Sequence, residues 1–295
     1  MGRALAEQFA ICRETFDEAD AALGESLSRL CFEGPEDRLT LTENTQPAIL
    51  TVSMAAFRLL RSFGFEPSFA AGHSLGEYSA HVAAGTIAFA DALRIVRRRG
   101  RYMQEAVPVG QGAMAAILGL DVAGVTRACA EASEGEVVSP ANLNGPGQVV
   151  IAGAREAVRR AGERAITLGA RRVLPLPVSA PFHCALMKPA EERLAPELLA
   201  LEVRDPQWPV VANVDAEPKR QARGAIHALI RQVSSPVRWE GVVQRLASEG
   251  VSAYVEVGPG AVLSGLVRKI HRDAVTANIE GPADLDAVSV VFKAH

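Results

Sequence analysis

Pro67-Ser68-Phe69-Ala70-Ala71-Gly72-His73-Ser74-Leu75-Gly76-Glu77-Tyr78-Ser79-Ala80 places a serine between two glycines, after a short apolar run and before helix-forming residues. A strand that turns abruptly into a helix forces its middle residue into a strained conformation, and glycines on either side remove side chains that would collide there. The serine oxygen is then held out at the carboxyl end of the strand, beside the free N–H groups and partial positive charge of the helix N-terminus. Gly-x-Ser-x-Gly also arises by chance in Ala/Gly-rich loops. The reading as a nucleophile turn rests on its context, a buried strand over 67–71 and a small-residue helix over 75–84. That context predicts an α/β fold.

The remainder of the chain bounds what Ser74 can do. At 295 residues the chain buries roughly three quarters of its unfolded surface and needs no disulfide or metal staple. Cys12, Cys31, Cys129 and Cys184 include no C-x-x-C pair, which argues against a zinc or redox site and for a reducing, cytoplasmic setting. No apolar run approaches the roughly 18 residues of a membrane span, and the charged N-terminus lacks a signal-peptide core. A net charge of −3 offers no global attraction to nucleic acid, so an anionic partner must meet a local basic patch.

Two helices are expected at the start, over 4–9 and 16–30, and a further helix from Thr45-Gln46-Pro47, with the proline in its first turn. The helix from Asp91 to Glu105 carries arginines at 94, 97, 98, 99 and 101. Arg99 falls within roughly 60° of the centre of the apolar face set by Leu93, Val96, Gly100 and Met103, so it points partly inward. An inward guanidinium needs an anion, either a buried carboxylate of the protein or a ligand. From Gly112 to Pro177 the pattern becomes β-α-β-β-α-β, a ferredoxin-like α+β unit. The expected organisation is a large α/β core, 1–106 and 180–295, with 107–179 inserted as a subdomain.

His183 follows the insert in Val178-Ser179-Ala180-Pro181-Phe182-His183-Cys184 and is the best base for Ser74 by elimination. His73 points away from the serine, His81 lies on the next helix, and His271 and His295 are near the C-terminus. A polar cap is the other reading of His183. Gly258-Pro259-Gly260, between a strand over 253–257 and a helix over 261–270, reads either as a phosphate-binding loop or as tight packing.

Gly72-His73-Ser74-Leu75-Gly76-Glu77-Tyr78-Ser79-Ala80, Arg99, Asn142-Leu143-Asn144-Gly145-Pro146-Gly147-Gln148, Pro181-Phe182-His183-Cys184-Ala185-Leu186-Met187 and Glu256-Val257-Gly258-Pro259-Gly260 together resemble the malonyl-CoA:acyl carrier protein transacylases of bacterial fatty acid synthesis, in order, from about residue 2 to 270. The resemblance implies a hydrolase-like parallel-sheet core and a ping-pong transfer of malonyl from malonyl-CoA to the phosphopantetheine thiol of acyl carrier protein. Malonyl-CoA is then a substrate, and no cofactor is permanently bound.

By the same resemblance Ser74 is the nucleophile, and His183 is a base oriented by backbone carbonyls instead of an acid. Arg99 is the partner of the malonyl carboxylate and Leu75 N–H an oxyanion donor. Gln232, Gln46, Asn142 and Phe182 are supporting residues, Phe182 resembling malonyl-selective members.

The family also has, before the region matching residue 1, a buried strand and a Gly-Gln-Gly-Ser-Gln segment that supplies a second oxyanion donor. The sequence as written is therefore expected to be truncated, or to start at an internal methionine, and to be weakly active. The rival readings are a serine hydrolase or thioesterase that passes the acyl group to water, and a crippled module that only binds carrier protein through exposed arginines 97, 98, 101, 171 and 172. A monomer without nucleic-acid or membrane partners is expected.

Overall fold

The computed structural model describes residues 1–178 and 180–293. Ser179, at the expected exit from the insert, and His295 lie outside the described residues.

The chain opens with helices α1 (Arg3–Gln8), α2 (Ala10–Leu23), α3 (Leu27–Glu33), α4 (Glu36–Leu39) and α5 (Thr42–Ser62). The single helix expected over 16–30 is divided because Gly24 adopts a left-handed φ of 67° and ends α2, a conformation that glycine reaches without steric cost. Helix α5 starts three residues earlier than expected, so Pro47 lies inside it. That position forfeits the bond a Pro47 N–H would have given to the Glu43 carbonyl. Phe16, Leu50, Leu59, Leu93, Met103, Leu194 and Leu229 are all but fully buried in the main core formed by these and later helices.

Among the described residues three small sheets carry the strands. β1 (Ala70–Ala71) pairs in parallel with β6 (Val210–Val211), which pairs antiparallel with β7 (Pro218–Lys219). A second parallel pair joins β8 (Ala253–Val257) to β9 (Val275–Ile279). The strand expected over 67–71 is cut to two residues, as is its partner β6. Beyond them the connection passes to a side chain, with Asn213 Nδ2 donating to the Gly72 carbonyl at 2.8 Å.

The segment between these sheets contains β2 (Gly112–Leu118), α8 (Val122–Ala132), β3 (Val138–Gly145), β4 (Gln148–Ala154), α9 (Arg155–Thr167) and β5 (Arg172–Pro175). Its strands run in the order β3-β4-β2-β5, every neighbouring pair antiparallel, which is the ferredoxin-like arrangement. One sheet face buries Ile117, Val149 and Ile151 under α8 and α9. The other face buries Met114, Ala116, Val150 and Ala152 against Cys184 and the half-buried Phe182, so the segment packs directly on the His183 loop. A backbone stitch fixes it there, with Leu143 N–H donating to the Val237 carbonyl and Val237 N–H to the Ala141 carbonyl, both at 2.8 Å.

The other helices are α6 (Leu75–Ala83), α7 (Phe89–Glu105), α10 (Lys188–Leu199), α11 (Ala222–Gln232), α12 (Trp239–Ser248), α13 (Val262–Ile270) and α14 (Leu285–Lys293). Among the described residues no helix is long and apolar enough to cross a membrane.

Candidate active site

Ser74 sits between β1 and α6 with φ 52° and ψ −105°, a region that side chains other than glycine's enter only under strain. The two flanking glycines do different work. A Cβ on Gly72 would lie 2.0 Å from the Gly76 carbonyl carbon, whereas a Cβ on Gly76 would meet nothing within 4 Å. Gly72 is the residue that must lack a side chain, and Gly76 supplies the backbone it approaches. Leu75 is the first residue of α6 and is buried, and its N–H has no acceptor within the helix.

The structure brings His183 and Arg99 to the serine. His183, itself at φ 61°, places Nε2 2.7 Å from Ser74 Oγ. Its Nδ1 donates to the Gln232 backbone carbonyl at 3.0 Å, which leaves the Nε2 lone pair facing the hydroxyl. Burial, and then the Arg99 charge, push the imidazole down to about 3, so the ring is neutral at any ordinary working pH.

Arg99 is only 2% exposed. Its Nη1 donates to Gln46 Oε1 at 2.7 Å, and its Nη2 donates to Ser74 Oγ at 3.0 Å and to Gln232 Oε1 at 2.9 Å. The guanidinium carbon stands 5.3 Å from the centroid of the buried Tyr78 ring, which adds a cation–π contact. Among the described residues no carboxylate forms an ion pair with Arg99, and Nε is buried without a hydrogen bond. Of the two readings open in the sequence, the buried protein ion pair is not what forms.

Gln46 and Gln232 therefore both touch the arginine, and Gln232 also donates from Nε2 to the Ser74 carbonyl at 2.9 Å. Asn142 is not drawn in by its side chain, because its Oδ1 is buried without a hydrogen bond and it joins the core through a backbone bridge to Val237. Phe182 packs between the main core and the ferredoxin-like sheet. His73 does turn away from the serine, with Nε2 donating to Asn144 Oδ1 at 2.9 Å.

Two residues escaped the sequence reading. Asn213 is fully buried and accepts the Ser74 N–H at 2.7 Å, while the Glu77 carboxyl accepts the Asn213 N–H at 3.0 Å. Asn213 had a signal, a lone amide in the apolar run Val210-Val211-Ala212-Asn213-Val214. The phosphate reading of Gly258-Pro259-Gly260 does not survive. The N-terminus of α13 is filled by the chain's own Glu256 carboxylate, which accepts from Leu263 N–H at 3.0 Å and Ser264 N–H at 2.7 Å.

A half-buried hydroxyl bonded to a neutral imidazole beside a buried arginine that forms no ion pair among the described residues is an arrangement for acyl transfer from an anionic donor. The acyl transferase domain family model matches residues 1–287. The malonyl CoA-acyl carrier protein transacylase of Escherichia coli (strain K12) is 53% identical over 275 residues, 93% of this chain and 89% of that protein. That of Bacillus subtilis (strain 168) is 47% identical over 294 residues, 99% of this chain and 93% of that protein. Among solved structures, the acyl carrier protein S-malonyltransferase of Vibrio cholerae superposes with a TM-score of 0.96 at 49% identity, covering 98% of this chain and 94% of its own. A malonyl-transacylase in complex with its type II PKS acyl-carrier protein matches with a TM-score of 0.96 at 48% identity, over 99% of this chain and 94% of that one. The chain belongs to the acyl transferase family, among the malonyl CoA-acyl carrier protein transacylases.

Proposed function

We propose that this chain transfers a malonyl group from malonyl-CoA to the phosphopantetheine thiol of acyl carrier protein, in fatty acid biosynthesis, through a malonyl ester on Ser74. His183 Nε2 takes the Ser74 proton as Oγ attacks the thioester carbonyl. The tetrahedral oxyanion then faces the Leu75 N–H at the head of α6. Collapse expels the coenzyme A thiolate, which receives the proton back from His183. The carrier thiol enters by the reverse sequence, giving its proton to His183 as its sulfur displaces Ser74 Oγ from the malonyl carbonyl.

The Gln232 carbonyl does the orienting that a buried acid does in other serine enzymes, by fixing the Nδ1–H tautomer. His183 owes part of its low basicity to the Arg99 cation, so a malonyl carboxylate bound to that cation raises the imidazole toward the range in which it works as a general base.

The observation that carries this reading is the Arg99 cation, buried within hydrogen-bond distance of Ser74 Oγ and forming no ion pair with a carboxylate among the described residues. A malonyl carboxylate supplies the missing anion and accepts the guanidinium fork in place of neutral oxygens. Docking there also draws Nη2 away from Ser74 Oγ and frees its lone pair for attack. The reading divides the chain into a core of 1–106 and 180–295 and an insert of 107–179. It places the chain in the cytoplasm as a monomer without nucleic-acid or membrane partners, and takes malonyl-CoA as substrate with no resident cofactor. For carrier docking, Arg98 and Arg101 are already paired with Glu197 and Glu105 and Arg97 with Glu25. Arg171 and Arg172, exposed and outside any ion pair among the described residues, are the freer candidates.

Rapid mixing with malonyl-CoA tests the reaction class. A transacylase gives one burst of coenzyme A per active site and turns over only when carrier protein is added. Steady release of malonate without an acceptor would make the chain a hydrolase instead.

A further inference from the structure

Glu77 lies three residues beyond Ser74, in the first turn of α6, and its side chain is fully buried. No atom of it hydrogen-bonds to Ser74 Oγ, His183 or Arg99. Its Oε2 accepts the Asn213 N–H at 3.0 Å and Gln232 Nε2 at 2.8 Å, and its Oε1 has no hydrogen bond.

The two residues it holds reach every part of the site. Asn213 spans the nucleophile turn, accepting from the Ser74 N–H through Oδ1 and donating to the Gly72 carbonyl through Nδ2. Gln232 donates to the Ser74 carbonyl, accepts Arg99 Nη2 on Oε1, and accepts His183 Nδ1 on its backbone carbonyl. We infer that Glu77 is a positioning residue that holds the strained serine turn, the arginine fork and the histidine in mutual register through Asn213 and Gln232. The inference rests on the proposed roles of Ser74, His183 and Arg99.

The role needs an acceptor and not a charge. Burial pushes the Glu77 carboxyl up to about 7, against the Asn213 and Gln232 hydrogen bonds, which favour its ionised form, with Asp215 adding to the rise and Arg99 opposing it, so protonated and ionised forms coexist near neutrality. The unpartnered Oε1 has no competing bond when it carries the proton, and Oε2 presents the same two acceptor contacts in either state. Glu77→Gln reproduces the protonated form, with its amide oxygen in the place of Oε2. Glu77→Met fills similar volume and leaves the Asn213 N–H without its acceptor.

The test measures single-turnover acylation by malonyl-CoA and by acetyl-CoA, normalised to the serines that acylate, together with the melting temperature. Glu77→Met is expected to slow malonyl acylation per active serine by roughly 10- to 100-fold, and to raise KM for malonyl-CoA more than for acetyl-CoA because Gln232 no longer steadies Arg99. Glu77→Gln is expected to restore both to within about threefold of the wild type. A Glu77→Met protein that melts lower but keeps the wild-type rate and preference per active serine would reduce Glu77 to a structural role. A Glu77→Gln protein as impaired as Glu77→Met would show that charge, not acceptance, is required; either result overturns the inference. Failure of the wild type to acylate at all would instead overturn the reading of the site.

Discussion

Replacing Arg99 with alanine removes a buried cation whose fork now rests on three neutral oxygens, those of Gln46, Ser74 and Gln232. A malonyl carboxylate bound there is a desolvated, hydrogen-bonded charge pair, and breaking such a pair costs about 2–5 kcal/mol. At about 1.4 kcal/mol per decade, kcat/KM for malonyl-CoA should fall roughly 30- to 4,000-fold. Acetyl-CoA has no carboxylate to lose, and Ser74 Oγ is relieved of the Arg99 donor, so its kcat/KM should hold or rise. The assay is initial-rate transfer from each donor to carrier protein, with melting temperature as the control for folding. Alanine also leaves Gln46 Oε1 and Gln232 Oε1 without a donor, so Arg99→Gln, which keeps an amide donor without a charge, is measured beside it. Equal losses on both donors, with melting temperature unchanged, would refute the carboxylate clamp.

The steric asymmetry of the turn predicts that Gly72→Ala abolishes the acylation burst and lowers the melting temperature, while Gly76→Ala keeps a burst, because only the first Cβ meets backbone. Asn213→Ala strands the Ser74 N–H and the Gly72 carbonyl, and at about 1–3 kcal/mol for buried groups left unpaired it should lower the melting temperature by several degrees and slow acylation. Stability should fall on acidification. His81 and His183 are held near 3 against an ordinary 6.5, so between those values the unfolded chain binds protons that the folded chain refuses. Glu77, raised to about 7 from 4.5, acts in the opposite sense: its contribution is complete below 4.5 and is lost as pH rises to 7. Two histidines against one carboxyl leave a proton difference that grows from a fraction of a proton near pH 6.5 to about one by pH 5, a slope of about 1.4 kcal/mol per pH unit there. Denaturant unfolding across this range checks the sign, and His81→Gln should flatten the curve.

Much of the site was legible because its chemistry is written in local patterns. Ser74 announced itself through a glycine-flanked turn, and Arg99 through its angle on an amphipathic helix, since helical periodicity places side chains without knowledge of tertiary contacts. What the periodicity of Arg99 left open was the identity of its partner, because Gln46 and Gln232 lie 53 and 133 residues away. Asn213 and Glu77 went unassigned for the same reason. Each acts by a hydrogen bond to a residue more than a hundred positions distant, and a polar residue in a strand or a first helical turn has ordinary local uses. The ferredoxin-like order was readable from alternating elements, each long enough to show its own period. The parallel core was less so, because its strands near Ser74 are two residues long and give way to Asn213 where a ladder was expected. The glycine loop at 258–260 left a phosphate open beside tight packing because a helix N-terminus accepts any anion, and Glu256, two residues before the loop, provides it.

The most direct test of the account is peptide-resolved mass spectrometry of the protein after brief exposure to malonyl-CoA, before and after addition of carrier protein bearing phosphopantetheine. The account predicts malonyl on the peptide containing Ser74, absent from Ser74→Ala and discharged onto the carrier thiol. Malonyl on another residue, or free malonate with Ser74 never acylated, would contradict it.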